Sequence, residues 1–343
     1  NLSLISAALT AIFLTSEPFF ALAWGVLLAG IAQLLFQIVP VARLGLLLKP
    51  RVALRDPGAR RVGGLLVPAI FASSAGQVNA LIDTMLASTL ITGSISWLYY
   101  SDRLLELPIG LVAVALGTVL LPNLSRLARD NGRTEFTATL DWGIRMALLF
   151  GVPAAVALYV LALPLISSIF MHGALTPIDA LMASFSLQIF AAGLLPLVLV
   201  KVLAPAFFAH EDTRTPFRIS LVAIGVNIVV NLVLFRIMGH VGLAFGTACA
   251  AWVNALLLAR VLAGKDRLVF SGESWRFLGK CALAAALMAA LLVSLSPEQG
   301  AWLGASVVTR SFWLSGLVAG GAGLYLLVLL ICGIRPAAML HRA

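Results

Sequence analysis

A chain of 343 residues that is 61% hydrophobic, only 11% charged and has a mean hydropathy of +1.05 is too apolar for a water-soluble domain. The net charge of +9 could suggest a nucleic-acid partner, but its distribution along the chain argues for a membrane topology and against nucleic acid. Apolar runs of about 20 residues recur from end to end, each long enough to cross a bilayer.

The sequence therefore reads as an all-α polytopic membrane protein. Lipid offers backbone groups no partner, and the alternating pattern of barrel strands is absent. Ten spans are expected, at 1–15, 20–46, 63–90, 94–125, 138–170, 177–208, 216–238, 241–263, 277–296 and 311–333. The first is already apolar at Asn1 and lacks a signal peptide's basic flank and cleavage site, so the chain is expected to be a piece of a longer protein. Between the second and third spans, KPRVALRDPGARRVGG holds Pro50, Pro57, Gly58 and six charges. It divides the chain into 1–49, a linker at 50–62, a six-span unit at 63–263 and a terminal helix pair at 264–343.

With the first helix running outward, nineteen of the twenty-three basic residues fall in inner loops, and Arg236 and Arg310 fall outside. This positive-inside bias places the C-terminus in the cytoplasm. The remaining two, Arg103 and Lys201, lie within the membrane.

Charges at membrane depth are costly unless paired or facing water, so they mark substrate or ion pathways. In the fourth span, residues 93–110 read GSISWLYYSDRLLELPIG, which puts Asp102, Arg103 and Glu106 three and four residues apart on neighbouring faces of one helix. Ser96 shares about the same face. At about 1.5 Å per residue, Arg103 lies roughly 14 Å below the outer surface. Pro108 and Gly110 follow, which predicts a bend beside the charges. Two readings stand: an ion-pair network that holds helices together, or the wall of a water-filled substrate cavity. Lys201, bracketed by Pro196 and Pro205, is either a cavity cation or a snorkelling side chain. Lys280, four residues after Arg276 at a helix start, reads as an interfacial anchor.

A second constellation is rich in oxygen: Asp83 in the third span, Asn227 and Asn231 in the seventh, Thr247 in the eighth. A carboxylate with amide and hydroxyl oxygens suits a hard monovalent cation, and interhelical hydrogen bonding is the other reading. In the last span, Gly316 and Gly320 have the spacing for close helix contact. Cys249, Cys281 and Cys332 match no metal or disulfide spacing, the four histidines are scattered, and no nucleotide or hydrolase motif occurs.

Three stretches carry a resemblance: SWLYYSDRLLELPIGLVAVALGTVLLPNLSRLA at 96–128, VKVLAPAFFAHEDTRTPFRI at 200–219 and LDWGIRMALL at 140–149. They resemble the MurJ (MviN) lipid II flippase family of the MOP exporter superfamily. The resemblance implies a fourteen-helix transporter of two six-helix lobes and a terminal pair, of which this chain would hold about ten helices. Residues 1–49 would then be the last helices of the N-terminal lobe, and 63–263 the C-terminal lobe. It implies a transporter, not an enzyme, in the bacterial cytoplasmic (inner) membrane. That transporter moves lipid II, an undecaprenyl-pyrophosphate glycolipid, from inner to outer leaflet by alternating access, acting as a monomer among membrane lipids. By the same resemblance, substrate-binding positions match Ser96, Asp102, Arg103, Glu106, Lys201 and Lys280. A sodium site matches Asp83, Asn227, Asn231 and Thr247, with Asn231 standing where a carboxylate can occur; no other cofactor is implied. A drug/cation antiporter of the MATE type and a flippase for another polyprenyl-linked saccharide remain as alternatives.

Overall fold

The structure is a computed structural model that describes residues 18–45, 57–130, 132–265 and 272–334, with residues 2, 5–7 and 9, and every regular element among them is helical. The chain falls into two compact units, 1–62 and 63–343. In the first, α1 (Pro18–Arg43) is a single helix with Trp24, Leu28, Leu34 and Phe36 all exposed. A helix apolar all round is built to meet lipid.

The second unit begins within α2 (Pro57–Ala87). The helix α3 (Ser94–Pro108), a π-helical turn (Ile109–Ala113) and α4 (Val114–Arg129) form one broken helix. It is bent by 41° between Val112 and Ala115, a few residues beyond the Pro108 and Gly110 that predict a bend beside the charges. Pro108 has no N–H to give the preceding turn, and the Ile109 N–H bonds back to the Glu106 carbonyl, so the ladder slips register there. The span expected at 138–170 is two helices, α5 (Arg133–Val160) and the short α6 (Ala162–Ile169), broken at Leu161. Then come α7 (Pro177–Phe208), α8 (Arg214–Met238) and α9 (His240–Gly264), followed by α10 (Gly272–Leu295), the single-turn α11 (Gln299–Gly304) and α12 (Val307–Ile331).

Among the described residues, seven helices are long and apolar enough to cross a membrane, or eight with α3 and α4 as one broken span. Of the ten expected spans, 1–15 lies largely outside the described residues. The span expected at 63–90 is helical as part of α2, which carries Gln77, Asn79 and Asp83 along its second half. The expected linker at 50–62 lies outside the described residues as far as 56, and from Pro57 onward it is helix.

The central helix is α7, which packs against α3, α4, α5 and α9. Leu187, Leu194, Val198, Val202 and Phe207 are completely buried along it. Thr176 starts it with a capping box, its hydroxyl accepting from the Asp179 N–H while the Asp179 carboxylate accepts from the Thr176 N–H, and Pro177 follows at the first position. A side chain at Gly193 would press within 3.0 Å of the Ala248 Cα, so this glycine sets how closely α7 and α9 approach. By contrast a Cβ at Gly316 or Gly320 would meet nothing within 4 Å, so the GxxxG spacing in α12 is not a close-contact face here.

Helix prolines leave carbonyls without partners, and in lipid each such carbonyl needs another donor. Two neighbouring helices supply one. The Tyr325 hydroxyl of α12 donates to the Leu149 carbonyl, four residues before Pro153 in α5, at 2.8 Å. The Trp252 indole N–H of α9 donates to the Ala192 carbonyl, four residues before Pro196 in α7, at 3.0 Å. Tyr325 thus pins the terminal pair to the six-helix body, and Met288, Leu292 and Leu329 bury the seam between α10 and α12.

Candidate functional site

The helix α3 separates its faces cleanly. Trp97, Ser101, Leu104 and Leu105 are buried, and the Ser101 hydroxyl donates to the Ala183 carbonyl of α7 at 2.7 Å. The Trp97 indole N–H donates to Asp179 at 2.8 Å. That anchorage turns Ser96, Tyr99, Asp102, Arg103 and Glu106 outward as an exposed polar stripe, at the spacing of one helical face. Arg103 Nη1 lies 2.7 Å from Glu106 Oε2, with the two side chains 51% and 55% exposed. The guanidinium also sits 4.8 Å from the centre of the Tyr99 ring, a cation–π contact from the residue one turn earlier. Arg103 is therefore held from both sides, in a half-open setting with donors to spare for an anion.

Lys201 and Lys280 do not join this stripe through any bond. Lys201 is exposed on α7 and makes no hydrogen bond or ion pair among the described residues. Lys280 is committed elsewhere: its ammonium donates to the Cys332 carbonyl at 2.7 Å and closes the C-terminus of α12.

The oxygen-rich residues, 148 and 164 positions apart in sequence, do meet. Asn231 Nδ2 donates to one Asp83 oxygen at 2.5 Å, and the Thr247 hydroxyl donates to the other at 3.1 Å. Asn231 Nδ2 also reaches Asn227 Oδ1 at 3.1 Å, and Asn227 Nδ2 reaches the Thr247 hydroxyl at 3.4 Å. Both asparagines are completely buried while Leu232 and Val233 of α8 are exposed, so α8 turns its polar side inward and its apolar side out. One atom is left over. Asn231 Oδ1 is buried without a hydrogen-bond partner and lies over Gly246, where a Cβ would collide with it. An orphaned acceptor beside a carboxylate fits a small cation, and Gly246 makes the room.

Several polar residues acquire roles that their sequence positions did not disclose. Arg310, placed on the outer side by the charge pattern, is buried, donating to the Ser167 carbonyl at 2.6 Å and the Ala305 carbonyl at 3.0 Å, which ties α12 to α6. Arg145, assigned to an inner loop, lies within α5, 2.8 Å from Asp141. Asp141 in turn accepts from Ser274 of α10 at 2.6 Å. Tyr99 was part of the quoted motif but carried no role; the i to i+4 spacing to Arg103 was the available signal. Among the described residues, no group of three His, Cys, Asp or Glu side chains could hold a metal ion.

Membrane-length helices, an exposed polar stripe and a polar network with two buried asparagines define a multi-pass helical membrane protein. A sequence profile described as "Lipid II flippase MurJ" matches residues 1–313, and the chain belongs to that family. A "Probable lipid II flippase MurJ" of Haemophilus influenzae is 42% identical over the whole chain and 68% of its own length. Its counterpart in Vibrio cholerae serotype O1 is 41% identical over 93% of this chain and 61% of its own length. The chain thus spans roughly two thirds or less of these relatives. A solved structure titled "Lipid II flippase MurJ, inward closed conformation" superimposes with a TM-score of 0.74 over 96% of this chain and 65% of its own, at 23% identity, which supports the fold.

Proposed function

We propose that this chain forms part of a flippase that carries lipid II from the inner to the outer leaflet of the bacterial cytoplasmic membrane. The observation that carries this reading is the half-exposed Arg103, held between Tyr99 and Glu106 on a membrane helix that passes into a π-helical turn after Pro108 and bends between Val112 and Ala115. Its planar fork matches a pyrophosphate in two-pronged fashion, as an ammonium does not. On arrival the pyrophosphate exchanges with the Glu106 carboxylate for the guanidinium, and Tyr99 keeps the plane oriented meanwhile. Ser96, on the same face, offers a hydroxyl to the substrate. Asp102 and Glu106 leave Arg103 in net negative surroundings when both are ionised, so further cations are required, and Lys201 is the exposed one on α7. Lys280 acts from the α12 terminus that it caps, as a positioning residue. The bend between α3 and α4 is the place where the helix flexes during alternating access.

Asp83, Asn227, Asn231 and Thr247 hold sodium in this reading, supported by the orphaned Asn231 oxygen. When bound, the ion supplies the positive charge that a buried carboxylate otherwise lacks. The protein works as a monomer with its C-terminus in the cytoplasm, where the basic loops collect. The test uses the full-length gene in a flippase-depleted strain. Arg103→Ala should abolish complementation, and Arg103→Lys should restore part of it. Full activity of the Ala variant at normal membrane abundance would overturn the assignment.

A further inference from the structure

At the end of the six-helix body carrying the loops around residues 126–133, 210–218 and 260–265, the structure holds a cavity of about 260 Å³. It lies roughly 36 Å along the broken α3–α4 helix from Arg103, at about 1.5 Å per residue, and takes no part in the function proposed above. Its walls are Leu127 and Ala128 from the end of α4, Gly132, Arg133, Phe136 and Thr137 from the start of α5, His210 from the α7–α8 turn and Lys265 from the end of α9.

Three of these side chains are basic. The His210 ring packs at 5.0 Å from Phe136, which fixes one wall. Lys265 reaches across the mouth to Asp212, 3.1 Å away, and its ammonium also lies 5.8 Å from the Phe207 ring. The Thr137 hydroxyl donates to the Thr134 carbonyl at 2.9 Å, which leaves its oxygen on the wall as an acceptor. Against Arg133, Lys265 and His210 stand the Asp212 carboxylate and Glu135, which folds back beside Gly132. Just outside the lining, Arg126 and Arg129 in the last turn of α4 are matched by Asp130 and Glu211, so the cations that face the cavity are those of the lining itself. The volume falls just under the about 300 Å³ at which drug-sized ligands begin to fit. It is ample for a phosphate with a short ester arm. The apolar side, Leu127, Ala128 and Phe136, provides contact for the carbon part of such an ester.

We infer that this cavity binds a phosphate group, with Arg133 and Lys265 as its charged donors and His210 as the third. The phosphate comes either from the headgroup of an acidic phospholipid or from a soluble phosphate compound. Basic residues at a membrane surface are attracted to an anionic leaflet, so both sources are physically open.

The experiment measures retention of phosphatidylglycerol and of phosphatidylcholine by the purified protein in native mass spectrometry, and in parallel its thermal shift with inorganic phosphate against chloride at equal ionic strength. The site predicts selective retention of phosphatidylglycerol, or stabilisation by inorganic phosphate, and the arm that responds identifies the source. The double variant Arg133→Gln/His210→Gln should weaken the response about tenfold, equivalent to about 1.4 kcal/mol. Thr137→Glu, which adds a carboxylate to the wall at a helical position that tolerates it, should abolish the response with the fold intact. The inference is overturned if the protein shows neither response, or if both variants respond like the parent. Because the readouts are binding and stability, loss of the site leaves the flippase reading untouched, and failure of that reading leaves the site.

Discussion

Asn231 shows how much one side chain can decide. Its amide nitrogen ties α8 to Asp83 and to Asn227, and its oxygen occupies the space over Gly246 without a partner. Gly246→Ala would put a methyl group into that oxygen and force α8 and α9 apart. Overpacking of this kind costs about 1–3 kcal/mol. The variant should show a melting temperature several degrees below the parent in detergent, and an unchanged value would mean that the asparagine can swing aside freely. Arg103 teaches a complementary point. The spacing to Glu106 revealed their pairing, whereas the stacking on Tyr99 emerged only once side-chain directions were known.

At the scale of elements, the structure replaces lost backbone hydrogen bonds with side-chain donors from the next helix. Tyr325→Phe should leave the Leu149 carbonyl unpaired and cost about 1 kcal/mol, within the range measured for hydrogen bonds in membrane helices. Pro153→Ala in the same background returns a backbone N–H to α5 and should recover most of the loss. Thermal unfolding of the single and double variants checks this, and equal losses in both would refute the account. The turn between α7 and α8 is governed by a different force. Burial raises the Asp212 pKa, but the Thr215 N–H and hydroxyl and the Lys265 ammonium outweigh it and hold the carboxyl below its ordinary value. A depressed carboxylate contributes stability that is present above about pH 4 and is lost as pH falls through its folded value. Asp212→Asn should therefore lower the melting temperature at neutral pH, with the difference from the parent closing on acidification. A difference that stays constant from neutral to acid would show that the charge has no part in it.

Across the whole molecule, the four oxygen-bearing residues join α2, α8 and α9, so an ion bound there couples helices far apart in the chain. Sodium should raise the melting temperature of the purified protein by mass action, and Asp83→Ala should erase the rise. An equal rise with potassium or choline would mark a general salt effect and remove the site.

The membrane character, the helical class, the bend after Pro108 and the family follow from the sequence by itself, because hydropathy, proline chemistry and motif identity are local properties of the chain. The pairing of Arg103 with Glu106 was legible for the same reason, both residues lying on one turn of α3. Only the tertiary structure could decide that Asp83 meets Asn231 across 148 positions, since no local rule brings α2 to α8. It also revealed that Arg310 is buried in a bond with Ser167, broke the span at 138–170 into two helices at Leu161, and placed the Lys280 ammonium on the end of α12. Counting charges locates loops. In a bilayer the final position of each polar group is set by which backbone carbonyls and side chains are left to satisfy it, and that becomes visible only once the helices have packed.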